Sequence, residues 1–211
     1  MRGTRSAFAG WFRVKSSTIG PSTMALHFQG DPVSSKVRKL EPRKPPAKLD
    51  TPSDLKSNGV RDIAQALNGI LADSYALFLK TKNFHWHVSG PHFRDYHLLF
   101  EEQAVSIFEA TDDMAERVRK IGGVTLRSIG DIARRQSIED NDEDFVSPSD
   151  MLRELLADNK KVVETMRKAH SLCDDKGDVA TASMLEVWID AAEKRTWFLF
   201  EASRNAEQSG H

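Results

Sequence analysis

The chain has 211 residues, is 39% hydrophobic and 29% charged, and holds ordinary amounts of Gly and Pro, 12 and 8 residues. That composition excludes a collagenous or wholly disordered polypeptide. No run of 18 apolar residues is present, so no transmembrane helix and no membrane partner are expected. The lone cysteine, Cys173, allows neither an intramolecular disulfide nor an all-cysteine metal site, and a reducing compartment is the default reading.

The formal net charge of −1 hides an asymmetry: residues 1–56 carry eleven Lys/Arg against four Asp/Glu, so this arm is +7 and the remainder −8. The arm is rich in Ser, Pro and Gly, and its stretch KVRKLEPRKPPAKLDTP has no sustained apolar period. Such a segment buries too little surface to offset its ordering entropy and is expected to be disordered or extended. Its first 23 residues contain Arg, Lys and Ser but no acid, which reads as a transit peptide or as a start placed upstream of Met24. No apolar stretch of secretory length follows the basic residues.

From about residue 58 the pattern turns helical. Ile63, Leu67, Ile70, Leu71, Ser74 and Leu77 or Phe78 recur at steps of three and four. The segment VSGPHF breaks this period at Gly90-Pro91, and a second helix runs to Ile121 before Gly122-Gly123. Residues 124–146 are less regular, with a short helix expected around Ile129–Arg134. Ser147-Pro148 reads as an N-cap followed by Pro at the first helical position. Leu152, Leu155, Leu156, Val162, Val163, Met166, Ala169 and Cys173 mark the third long helix, and Asp174–Gly177 a short break. Met184, Val187, Trp188, Ala191, Phe198 and Ala202 mark the fourth. His170 and Cys173 read as core or edge residues of the third long helix.

Two short links and one long one predict an all-α, up-down, crossover, up-down four-helix bundle whose crossover carries the short helix. The expected organisation is a basic arm at 1–56, the bundle at 57–207 and a tail at 208–211.

Four of the seven histidines, His85, His87, His92 and His97, fall within 13 residues, and the following helix carries Glu101, Glu102, Glu109, Asp112, Asp113 and Glu116. Histidine with carboxylate and no thiolate set favours iron, manganese or zinc. At 100° per residue, His97, Glu101, Asp112 and Glu116 fall at about 0°, 40°, 60° and 100°, all on one face. Glu101 and Asp112 are nevertheless about 16 Å apart along the axis, too far to share an ion within one chain. His97 and Glu116, like Glu101 and Asp112, are spaced symmetrically about the same point, between Ser106 and Ile107. Two such helices paired antiparallel about a dyad therefore bring Glu101 against Asp112 of the other copy and His97 against Glu116. Two identical intersubunit sites result. His85, at the end of the first helix, packs beside His97 and completes each.

With these residues in place the chain resembles the Dps family, the ferritin-like DNA-binding proteins of starved cells. The likeness rests on His85-Trp86, Gly90 with Phe93, His97, Glu101, the segment DDMAERVRKIGG at 112–123 and EKRTWFLFEA near the C-terminus, and it covers roughly residues 57–206. Glu101 stands where many members carry Asp, and its longer side chain reaches further.

The resemblance implies a ferroxidase. His85, His97, Glu101, Asp112 and Glu116 would ligate iron as an intersubunit diiron site. Fe(II) would be oxidised by hydrogen peroxide or oxygen, and ferric mineral stored in a homododecamer built from dimers. Trp86 would lie beside the site as a radical quencher or serve as a core aromatic. Asp174, Asp175 and Asp178 would line acidic threefold pores for iron, or form a helix-end cluster with Asp178 as N-cap. The basic arm resembles the tails that bind DNA in some members. Lys36, Arg38, Lys39, Arg43, Lys44 and Lys48 would then contact phosphates without reading sequence. The implied location is cytoplasmic and nucleoid-associated, with organelle targeting by residues 1–23 as the alternative. The alternative function is a chiefly architectural DNA-binding protein with a weak or vestigial metal site.

Overall fold

A computed structural model describes residues 51–204, which fall in the unit Leu40–His211. Residues 1–50 of the expected disordered arm, with the residue 1–23 segment and the phosphate-contacting lysines and arginines at positions 36–48, and the tail at 208–211 lie outside the described residues; the arm's last residues, 51–56, are described, with the Thr51 hydroxyl donating to the Arg119 carbonyl at 2.9 Å and Leu55 packed against the core. Among those described, the element order is α1 (Ser57–His87), α2 (Phe93–Lys120), α3 (Ile129–Arg135), α4 (Pro148–Lys176) and α5 (Val179–Ser203), with no strand.

The helix ends follow local chemistry. Ser147 caps α4 by accepting from the Asp150 N–H, with Pro148 in the first turn. Asp178 caps α5 by accepting from the Thr181 N–H at 3.1 Å. Gly177 ends α4 in the left-handed region at φ 75°, and the Asp178 N–H donates back to the Cys173 carbonyl at 2.9 Å. The expected break at Asp174–Gly177 is therefore shorter than the sequence suggested. Asp174, Asp175 and Lys176 continue α4, because only Gly177 can take the reversed φ cheaply.

The α1–α2 link and the Gly177–Asp178 turn each fold the chain back on itself. α1 packs on α2 and α4, α4 on α5, and α3 on α1, while α2 and α5 touch sparsely. The core comprises Ile63, Leu67, Ile70, Leu77 and Phe84 of α1, Phe100 and Met114 of α2, Leu152, Leu155 and Met166 of α4, and Leu185 and Leu199 of α5. Each such side chain contributes about 1.5–3 kcal/mol by leaving water. Cys173 lies in this core and His170 is half-buried beside it, as read from the sequence.

The crossover is pinned to α1 by polar contacts. The Asn68 side-chain amide donates to the Val124 carbonyl at 2.8 Å. The buried Asp73 carboxylate accepts from the Ser137 hydroxyl at 2.9 Å, from the Ile138 N–H at 3.1 Å and from the Ser137 N–H. α5 departs from the expected stripe. Val187 and Phe198 are 67% and 42% exposed, and the inward row runs Leu185, Trp188, Ala192, Arg195 and Leu199.

Candidate metal centre

The last turn of α1 meets the first turns of α2, and two imidazoles cross-link them. His85 Nδ1 lies 2.8 Å from the His97 carbonyl oxygen, and His97 Nδ1 lies 2.9 Å from the His85 carbonyl oxygen. The rings stack with centroids 3.8 Å apart. A carbonyl oxygen only accepts, so each Nδ1 must carry its proton and donate. In the neutral rings both Nε2 lone pairs are thereby left for a cation, the usual arrangement of a metal-ligating histidine.

Glu101 joins this pair one turn into α2. Its Oε2 lies 3.2 Å from His85 Nε2 and also accepts from the Lys82 ammonium. A carboxylate oxygen facing an imidazole lone pair is repulsive unless a positive charge sits with them. Lys82 provides that charge, and its hydrogen bond holds the Glu101 carboxyl below the usual carboxylate range against the opposing effect of burial. The half-exposed Trp86 continues the Lys82 edge of α1, with the Lys82 ammonium 5.8 Å from its ring centroid.

Asp112 and Glu116 are exposed further along α2 and do not reach this group; Glu116 pairs with Lys120 at 3.0 Å. Among the described residues no three His, Cys, Asp or Glu side chains of one chain converge to hold a metal. The face they share is nonetheless distinctive. Leu98, Glu101, Val105, Phe108, Asp112 and Glu116 follow one another at steps of three and four, and Leu98, Val105 and Phe108 are 41%, 45% and 49% exposed. Phe108 packs on Phe78 and Tyr75 of α1. Those two residues, with Leu79, Trp86, Ile129 and Ile132, open onto a cavity of about 720 Å³.

The three acids near the α4–α5 turn are not equivalent. Asp174 and Asp175 are exposed, Asp174 lying 3.2 Å from His170 Nδ1. Asp178 is 3% exposed and bound to the Arg117 guanidinium at 2.5 Å as well as to its cap. Lys82 escaped the sequence reading. Its partner Glu101 stands on the other helix, so no local spacing signalled it.

Comparison with known proteins adds four findings. The ferritin-like domain family matches residues 64–208. The chain is 30% identical over 145 residues to DNA protection during starvation protein 1 of Deinococcus radiodurans, covering 69% of this chain and 70% of that one. It is 38% identical over 120 residues to DNA protection during starvation protein of Halobacterium salinarum, covering 57% and 66%. The crystal structure of an archaeal Dps homologue from Halobacterium salinarum superposes with a TM-score of 0.72 at 28% identity, covering 79% of this chain and 94% of that one.

Proposed function

We propose that this chain, which belongs to the Dps family of ferritin-like proteins, oxidises ferrous iron at a site shared between two subunits and keeps the ferric product in a closed shell. The observation that carries the proposal is the α2 face on which Leu98, Val105 and Phe108 alternate with Glu101, Asp112 and Glu116. Apolar positions on that face suit burial against a second copy, while isolated buried carboxylates would be costly without a cation. An antiparallel dyad between Ser106 and Ile107 answers both requirements.

His85, His97 and Glu101 of one subunit would bind iron together with Asp112 and Glu116 of the partner subunit. Carboxylates favour the harder ferric product, and the neutral imidazoles hold the ferrous substrate without adding charge. Two ferrous ions give one electron each. Hydrogen peroxide takes both electrons and two protons, its O–O bond breaks, and two waters leave without a hydroxyl radical. Lys82 holds Glu101 in place until the ion arrives and must then swing off the carboxylate. Assembly as a homododecamer built from dimers, iron passage past Asp174 and Asp175, and protection of DNA from oxidative damage belong to the same reading. The +7 arm supplies salt-labile, sequence-independent DNA binding.

The test is anaerobic ferrous loading followed by peroxide or oxygen, for wild type and for a His97→Ala/Glu101→Ala variant. Fast oxidation should vanish in the variant while the shell still assembles. Oxidation near the wild-type rate would remove the ligand assignment. A DNA mobility shift at several salt concentrations, for the full-length and residue-57-start proteins, separates the arm's role. Equal affinity in both would remove the arm from DNA binding.

A further inference from the structure

Charge is sorted along the crossover. Residues 117–138 hold six Lys/Arg (Arg117, Arg119, Lys120, Arg127, Arg134 and Arg135) against the single acid Asp131, whereas residues 139–144 hold five Asp/Glu and no base. Contacts with α1 lay this sequence out in space. Gly123 abuts Ala64, Val124 and Thr125 bond Asn68, Ser137 and Ile138 bond Asp73, and Asn141 bonds Asn83. The basic half therefore runs over the N-terminal half of α1 and the acidic half over its C-terminal half.

Within the basic half, α3 is two-sided. At 100° per residue Ile129, Ile132 and Ala133 share one side, which lines the cavity beside α1, while Asp131, Arg134 and Arg135 share the other. The Asp131 carboxylate accepts from Arg134 Nη2 at 3.3 Å and from Arg135 Nε at 3.0 Å. One negative charge thus holds two exposed guanidiniums next to each other, engages one nitrogen of each, and leaves a net positive charge with further N–H groups to donate. Arg127 is exposed and in no ion pair among the described residues. From α4, Lys161 reaches the crossover by donating to the Ser137 carbonyl. Lys168, two turns further along α4, shares its exposed row.

The arm is rooted at the same end. Thr51 donates to the Arg119 carbonyl at 2.9 Å, and its carbonyl oxygen packs on Gly122, where an added Cβ would stand 3.0 Å from it. Chain length alone keeps Lys48 within about 11 Å of Thr51 and Lys44 within about 25 Å. No apolar side chain stands on the outward side of α3, so this surface offers neither an anchor for a protein partner nor a wedge for a bilayer. Guanidiniums held in pairs match phosphate oxygens. A duplex carries about one negative charge per 1.7 Å of its axis, dense enough to meet cations of arm and body at once. We infer that the basic half of the crossover, with Lys161 and Lys168, is a second contact surface for the backbone phosphates of duplex DNA, continuous with the arm. The inference extends the DNA-binding part of the proposed reading and rests on it. The acidic half repels the duplex and so sets the end of the subunit on which it lies.

The experiment uses the full-length protein and a duplex of arbitrary sequence, with affinity measured at several salt concentrations. Arg127→Gln/Arg134→Gln/Arg135→Gln is compared with Arg94→Gln/Lys194→Gln/Arg204→Gln, which removes the same charge away from the crossover, and with a variant whose six arm cations at positions 36–48 are replaced by Gln. The crossover variant should bind about ten-fold more weakly and flatten the slope of log affinity against log salt by about one or more; the control should stay within about two-fold. In the wild-type complex, DNA should shield Lys161 and Lys168 from acetylation and leave Lys194 as reactive as in the free protein. Equal weakening in the crossover and control variants, or acetylation of Lys161 and Lys168 unchanged by DNA, would overturn the surface. Weakening confined to the arm variant overturns it too and leaves the arm's role standing, whereas weakening confined to the crossover variant removes the arm and keeps the surface. If the crossover variant does not fold, the wild-type acetylation pattern decides.

Discussion

Two crippled chains should restore each other. One carries His97→Ala and Glu101→Ala, the other Asp112→Ala and Glu116→Ala. α2 is unbroken from Phe93 to Lys120. Glu101 and Asp112 are therefore held about 16 Å apart, and neither chain alone can assemble a full ligand set. Co-expressed in equal amounts, half of the dimers contain one chain of each kind if pairing is random. In such a dimer one site draws His97 and Glu101 from the second variant and Asp112 and Glu116 from the first, and is whole. The other site lacks all four. Recovery should therefore reach about one quarter of the wild-type number of active sites. Stopped-flow oxidation of ferrous iron reads this directly, with native mass spectrometry confirming mixed shells. A site built within one chain gives no recovery. Zero activity in shells that demonstrably contain both chains would refute the dyad geometry.

Other outcomes follow from groups outside the site. The Lys80 ammonium is 4% exposed between Glu154 at 2.9 Å and Asp158 at 2.8 Å. Lys80→Met leaves two carboxylates facing each other and should cost about 3 kcal/mol in urea unfolding. Burial draws the Lys80 ammonium down, but its bonds to Asp158 and Glu154 overcome this and hold it above the ordinary lysine value. Its stabilisation is thus complete below that value and is lost as pH rises through the folded pKa. The gap between wild type and Lys80→Met should narrow in alkali; a gap unchanged up to global alkaline unfolding would contradict the pairing. Burial, with Asp178 and Asp174 nearby, pushes the Cys173 thiol up to about 12. Iodoacetamide at pH 8 should spare the native protein and label the unfolded chain fully. Rapid native labelling would mean that α4 opens locally.

The helix boundaries were legible because capping is local chemistry. Ser147-Pro148, Gly177 and Asp178 announce their positions in the sequence, although a run of acids before Gly177 made the break look wider than it is. The α5 stripe was less legible. Val187 and Phe198 fit the helical period as well as Leu185 and Leu199 do, and only the placement of α4 decides which pair is covered. Arg195 keeps the inward spacing with Trp188, Ala192 and Leu199, yet charge argued for solvent. Tertiary packing overrode that preference. The meeting of His85 with His97 and Glu101 was readable, since a short link after one helix brings its last turn to the first turns of the next. Lys82 was not, because a lysine on a helix surface ordinarily reads as solvated. Its role appears only once α2 lies alongside.

The reciprocal imidazole-to-backbone bonds between His85 and His97 carry one more consequence, for timing. Folding itself freezes both rings, so the rotamer entropy of two ligands, roughly 1 kcal/mol each, is already spent before an ion arrives. On the proposed ferroxidase reading, an incoming ferrous ion would have to displace Lys82 from Glu101, while both rings already stand in place. Ordering already spent is not charged to binding, so on that reading the two preset imidazoles would strengthen the hold on the ion.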